Sequence, residues 1–141
     1  MTGAQLPNER LETLIRDYCA AWSEPDADRR LEILHQVWSP DGIYTDPNGH
    51  VEGRPHLSAH IGKVLAESLP AGARIVPASH ADAHHDEFRF AWKSVLPDGS
   101  VSLEGVDFGE LDSHGHIRRI VGFFGALQPI GASPPGATDA A

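Results

Sequence analysis

Residues 84–96 read HHDEFRFAWKSVL, and the pattern within them decides the fold. Phe88, Phe90, Trp92 and Ser94 alternate with Arg89, Ala91 and Lys93, the two-residue period of a strand with one face covered. Pro97, Asp98 and Gly99 supply a hairpin turn, after which Val101, Leu103, Gly105 and Asp107 take the inward parity against Ser102, Glu104 and Val106. A second turn falls in DSHGH (112–116), and residues 117–124 make the last strand. His84 and His85 have opposite parity, so one of them is expected to face inward, with His85 able to meet Asp107 or a pocket water.

Upstream of this stretch the apolar period is 3.6. Leu11, Leu14, Ile15, Tyr18 and Trp22 fall on one stripe, which predicts an amphipathic helix over about residues 8–23 with Pro25 as its stop. Asp26 or Asp28 can cap a second helix, which carries Leu31, Leu34 and Trp38 and ends before Pro40. GIYTDPNGHVEG (42–53) reads as a short strand, a turn on Asp-Pro-Asn-Gly and a second short strand. A third helix opens with Pro55, presents Leu57, Ile61, Val64 and Leu65 on one face, and is closed by Pro70 and Gly72. This order predicts an α+β domain over residues 1–128, with three helices on one face of a mostly antiparallel sheet, and a disordered Pro/Gly/Ala-rich tail over 129–141. The sheet is expected to curve strongly around its helices and to leave a conical pocket where apolar packing does not close.

With 141 residues, 40% of them hydrophobic, the chain can build one core and not two. Eleven Lys plus Arg against 20 Asp plus Glu give a formal charge of −9, which repels phosphate backbones and anionic lipid, so no nucleic acid and no membrane partner is expected. No run of about 18 apolar residues marks a membrane span, and MTGAQLPNER has no leader character, which predicts a cytoplasmic location. Cys19 is the only cysteine, so it makes no internal disulfide, and its surroundings YCAAW (18–22) read as a buried helix face. The nine histidines make the chain less negative below about pH 6.5.

YCAAW on the first helix, GIYTDP (42–47) on the first strand, Gly53 opening the third helix and the closing VDFGELDSHGHIRRIVGFFG (106–125) resemble the nuclear transport factor 2-like superfamily. The resemblance covers about residues 8–126, and within it the chain resembles the SnoaL-like proteins, with polar positions similar to those of ketosteroid isomerase. It implies a cystatin-like α+β barrel with a conical pocket, on a scaffold that hosts cyclases, isomerases, dehydratases, epoxide hydrolases and non-catalytic binders. Tyr18, Asp46 and Asp107 match the isomerase pattern one by one. The match implies Asp46 as the base, with Tyr18 and a protonated Asp107 as donors to a developing oxyanion, the division of roles for which ketosteroid isomerase is the standard example. The chain departs from that enzyme in a longer Tyr18–Asp46 interval and in His60, which stands where an aromatic pocket wall is usual.

The residues can be read without the resemblance as well. An ionised Asp107 at an inward position would cost several kcal/mol, roughly that of a buried unpaired charge, so it must be protonated, paired or pocket-facing. Asp46 before Pro47 fits a turn as well as a pocket acid, and Tyr18 on the apolar stripe fits a core aromatic as well as a donor. His60, at the edge of its helix stripe, could face the cavity as a second acid or base or satisfy a local bond. Trp22, Trp38 and Trp92 supply aromatic wall, and the expected substrate-binding set is Trp22, Tyr44, His60, His85, Phe90, Trp92, Ile120 and Phe124.

His80, Asp82 and His84 in HADAHHDE (80–87) could share a strand face and chelate zinc or nickel, but such alternation also marks a solvated edge, and no metal is assigned. No glycine-rich phosphate loop, GxSxG elbow or dinucleotide fingerprint occurs, so chemistry without a cofactor is expected. The leading expectation is proton transfer on a small apolar carbonyl metabolite, as an isomerase or a polyketide cyclase. Alternatives are a non-catalytic ligand binder, a homodimer built through the sheet face that carries Arg89, Lys93 and Glu104, and an epoxide or ester hydrolase.

Overall fold

The computed structural model describes residues 8–131. In chain order the elements are α1 (Asn8–Ala21), α2 (Ala27–Val37), β1 (Trp38–Asp46), β2 (Gly49–Glu52), α3 (Arg54–Glu67), β3 (Arg74–Pro77), β4 (Asp82–His84), β5 (Glu87–Val95), β6 (Val101–Leu111) and β7 (Ile117–Phe124). Of the expected tail, residues 132–141 lie outside the described residues. No described helix is long and apolar enough to cross a membrane.

The apolar stripe of α1 is buried through Leu11, Ile15, Tyr18 and Cys19. Asp26 caps α2, its carboxylate accepting from the backbone N–H of Asp28 at 2.9 Å and of Arg29 at 3.2 Å. The helix ends at Val37, and the chain passes directly into β1, where Pro40 occupies a break in register between Trp38 and Ile43. Arg30 is buried between helices, donating to Ser58 Oγ at 3.1 Å and to the Glu24 carbonyl at 2.7 Å, and so ties α2 to α3.

The strands form one seven-stranded sheet in the order β2-β1-β7-β6-β5-β3, with β4 also on β5. Burial on β5 follows the expected parity through Phe88, Phe90, Trp92 and Ser94. On β6 it holds for Gly105 and Asp107, while Val101, at the hairpin end, is exposed. The core lies between this inner face and the helices, where Leu34, Leu57, Ile61, Ile117 and Ile120 are completely buried.

One feature corrects the sequence-based expectation. The sheet is open: it is not a strongly curved barrel or cone, because no ladder among the described residues joins β2 at one edge to β3 or β4 at the other. Those edge strands have only four, four and three residues, too little ladder to close a barrel whose strands must tilt and stagger. The sheet is mostly antiparallel, as expected, with one parallel pair, β1 on β7, Tyr44 opposite Ile120 and Thr45 opposite Val121. A two-residue period reveals which face a residue takes but not the direction of the neighbouring strand.

Candidate active site

A cavity of about 360 Å³ lies between the helices and the inner sheet face. Tyr18, Cys19 and Trp22 line it from the end of α1, Tyr44 and Asp46 from β1, and Trp92, Asp107 and Phe124 from β5, β6 and β7. Its remaining walls are mostly apolar, with Val64, Leu69, Ile75 and Leu103 among them.

Asp107 sits in the middle of β6, between Phe90 of β5 and Gly122 of β7, and is only 6% exposed. The Trp92 indole Nε1–H donates to its Oδ1 at 3.0 Å. That bond depends on Gly105, which faces Trp92 across the ladder: a Cβ there would stand 2.4 Å from the indole and 2.3 Å from the Phe123 carbonyl oxygen. Gly122 does the same on the other side. A Cβ at Gly122 would lie 2.9 Å from Asp107 Oδ1, 3.6 Å from Asp46 Cβ and 3.7 Å from the Tyr44 hydroxyl, so three polar side chains converge over one bare backbone position. Burial pushes the Asp107 carboxyl up to about 7; the Trp92 bond opposes the shift and the nearby Asp46 charge adds to it.

Asp46 divides its two oxygens between the roles the sequence left open. Oδ1 accepts the Asn48 backbone N–H at 2.7 Å, which is a turn bond, and Oδ2 accepts the Tyr44 hydroxyl at 2.5 Å on the cavity side. Tyr44 is held by its ring, 5.2 Å from Trp22 and 5.6 Å from His60 between centroids. Burial, with the charges of Asp107 and Asp46, pushes its phenol far above the ordinary range, so it remains a donor.

Tyr18 is 1% exposed, and its ring stacks on Trp38 at 5.8 Å. Its hydroxyl has no hydrogen-bond partner among the described residues, and burial, together with Asp107, raises its pKa well above the usual value. The Cys19 thiol is likewise pushed up by burial and by Asp107, which makes it wall rather than nucleophile.

Of the expected site residues, Tyr18, Trp22, Tyr44, Asp46, Trp92, Asp107 and Phe124 line this same cavity. Phe90 and Ile120 do not line it; both are packed in the core, Phe90 against Phe88 at 6.2 Å. His60 stands behind the wall, edge-on to Trp22 at 5.9 Å. His85 requires a correction: it is exposed in the β4–β5 turn at φ 52°, with its Nδ1 3.1 Å from that of His84, because the turn ends the alternation before the strand begins. His80, Asp82 and His84 take separate partners, His80 with Glu12 at 3.0 Å and Asp82 with Arg89 at 2.9 Å, and no metal-binding cluster of three occurs among the described residues. The Tyr44–Asp46 bond was not anticipated, although the i, i+2 spacing puts both side chains on one strand face.

Three helices against one face of a mixed sheet, enclosing a cavity with a buried aspartate, make an α+β fold, and that fold is shared with a nuclear transport factor 2-like protein from Cytophaga hutchinsonii ATCC 33406 at 13% identity and a TM-score of 0.57, over 89% of this chain and 95% of that one. Neither a protein-family model nor a curated protein matches the sequence. Among solved structures, a candidate isomerase of the SnoaL-like family from Agrobacterium tumefaciens str. C58 is 33% identical, with a TM-score of 0.74 over 81% of this chain and 96% of that one. The chain belongs to the SnoaL-like family. A candidate SnoaL-like polyketide cyclase from Jannaschia sp. CCS1 matches at 19% identity and a TM-score of 0.62, over 85% of this chain and 89% of that one. A protein of ketosteroid isomerase-like fold from Catenulispora acidiphila DSM 44928, solved with trimethylamine, matches at 14% and 0.59, over 77% and 82%. The last two likenesses are of fold alone.

Proposed function

We propose that this chain is a cofactor-independent acid–base catalyst that moves a proton on an apolar carbonyl compound, isomerising or cyclising it. The observation that carries the proposal is Asp107: a carboxyl 6% exposed, raised to about 7, sharing one cavity with Tyr18 and the Tyr44–Asp46 pair. Two carboxyls held in unlike environments are suited to opposite roles. Asp46 takes a proton from the carbon next to the carbonyl, the electrons move onto the carbonyl oxygen, and Asp107 and Tyr18 hydrogen-bond the enolate that forms. Asp46 then returns the proton to a different carbon, or the enolate carbon attacks a second carbonyl and closes a ring, with Asp46 giving its proton to the alkoxide that this attack forms. Apolar walls keep water away from the charge, so each donor is worth more than it would be in solution.

Deuterium uptake next to the carbonyl of 2-tetralone in heavy water tests this without knowledge of the natural substrate. Exchange above the buffer rate is expected, with Asp107→Leu reducing it by about 10²–10³. Equal exchange in the wild type, Asp107→Leu and Asp46→Asn overturns the proposal.

The outer sheet face supports a second copy of this chain as a partner. Phe123 is 60% exposed, Val106 41% and Phe108 39%, and Val106 lies opposite Phe123 in the ladder. Lys93 and Glu104, also paired across strands, border this patch with opposite charges that a two-fold axis would bring together.

A further inference from the structure

Tyr18 lies in the last turn of α1 and Trp22 directly follows the helix, and both line the cavity. Tyr18 is 1% exposed and Trp22 6%; neither the Tyr18 hydroxyl nor the Trp22 Nε1–H makes a well-formed hydrogen bond among the described residues, and the two side chains lie close enough that Trp22 partly offsets the rise that burial gives the Tyr18 phenol. A buried donor left unpaired is destabilising, and an acceptor brought by a ligand would satisfy two that line the same cavity. The third cavity indole, Trp92, is satisfied by Asp107 at 3.0 Å. Trp38 Nε1 is also unpartnered, but it packs over Gly42 away from the cavity, 2.5 Å from where a Cβ there would stand.

We propose that Trp22 is a further ligand-binding residue, and that its indole N–H and the Tyr18 hydroxyl together grip a single acceptor oxygen of the ligand. The inference rests on the reading of the cavity as an acid–base site and narrows its ligand class to flat, apolar molecules with one strongly accepting oxygen at an end, such as an enone, an enolate or a phenol. Asp107 Oδ1 is already engaged by Trp92, which leaves Oδ2 to approach the same oxygen. Both donors are buried and both side chains line the 360 Å³ cavity, so a ligand in that cavity would bring its oxygen to them. Neither group titrates near neutral pH, so this grip persists when Asp107 has lost its proton.

Binding of 2-naphthol, compared with naphthalene as the same shape without the oxygen, tests the proposal by NMR titration. Trp22→Phe is expected to weaken 2-naphthol by about five- to tenfold, as loss of a single hydrogen bond does, while leaving naphthalene within about twofold. In the wild-type chain, which needs no variant to fold, the Trp22 indole N–H proton is expected to move downfield with 2-naphthol and not with naphthalene. An unmoved indole proton, or equal weakening of both probes by Trp22→Phe, overturns the role of Trp22. If Tyr18→Phe and Asp107→Leu still weaken 2-naphthol in that case, the acid–base site stands without Trp22. If none of the three variants alters binding, or neither probe binds the wild type, both readings fall.

Discussion

Near neutral pH the Asp107 carboxyl is divided between its two protonation states, and both stability and activity should follow it. Its folded pKa of about 7 stands above the ordinary aspartate value of 3.8, so between those values the folded chain holds a proton that the unfolded chain has released. Stability therefore falls as pH rises through that window and levels off above it, by an amount on the order of a few kcal/mol. Asp107→Asn, which keeps the Trp92 bond and removes the titration, should show a distinctly shallower decline when urea unfolding is followed from pH 4 to 8. Turnover that needs the protonated acid should decline above about pH 7 in the wild type and not in that variant. Parity and composition made Asp107 conspicuous in the sequence, because an acid on a covered strand face has few explanations. Asp46 was legible only as a choice between turn and pocket, and the structure assigns one oxygen to each. The meeting of Tyr44, Asp46 and Asp107 over Gly122 was not legible, since it joins β1 to β7 and β6 through a ladder that no local pattern encodes.

Elements with a full period were the most legible. The stripes of α1 and α2, the cap at Asp26 and the alternation of β5 each follow from burial on one side of a regular backbone. Replacing Asp26 with alanine leaves two N–H groups of α2 without their acceptor and should lower stability by about 1 kcal/mol in thermal or urea unfolding. The short strands β3 and β4, with four and three residues, have too few positions to show a period. Gly105→Ala belongs to this scale too. Its methyl would meet backbone on one side and the Trp92 ring on the other, so a loss of about 1–3 kcal/mol is expected, as for overpacking, together with displacement of the indole from Asp107. The amide and indole chemical shifts of Trp92 would register that displacement; unchanged shifts would mean that the strand yields instead.

For the molecule as a whole, element order gave the helices-on-sheet layout, but closure was misjudged: strong curvature was expected from the helices alone, and the shortness of the edge strands left the sheet open. An open sheet with Phe123, Val106 and Phe108 on its outer face should pair with a second copy. Phe123→Lys would put one repelling, desolvated charge from each copy, two in all, into that interface, and sedimentation should show a dimer becoming a monomer; a wild-type monomer would contradict the pairing. The central claim concerns the cavity, and it is tested most directly by a carbon-13 NMR titration of the Asp107 carboxyl carbon, assigned by its loss in Asp107→Asn. A midpoint near 7 is predicted; a midpoint near the ordinary aspartate value of 3.8 would mean that Asp107 is an ordinary solvated acid and no donor to an oxyanion.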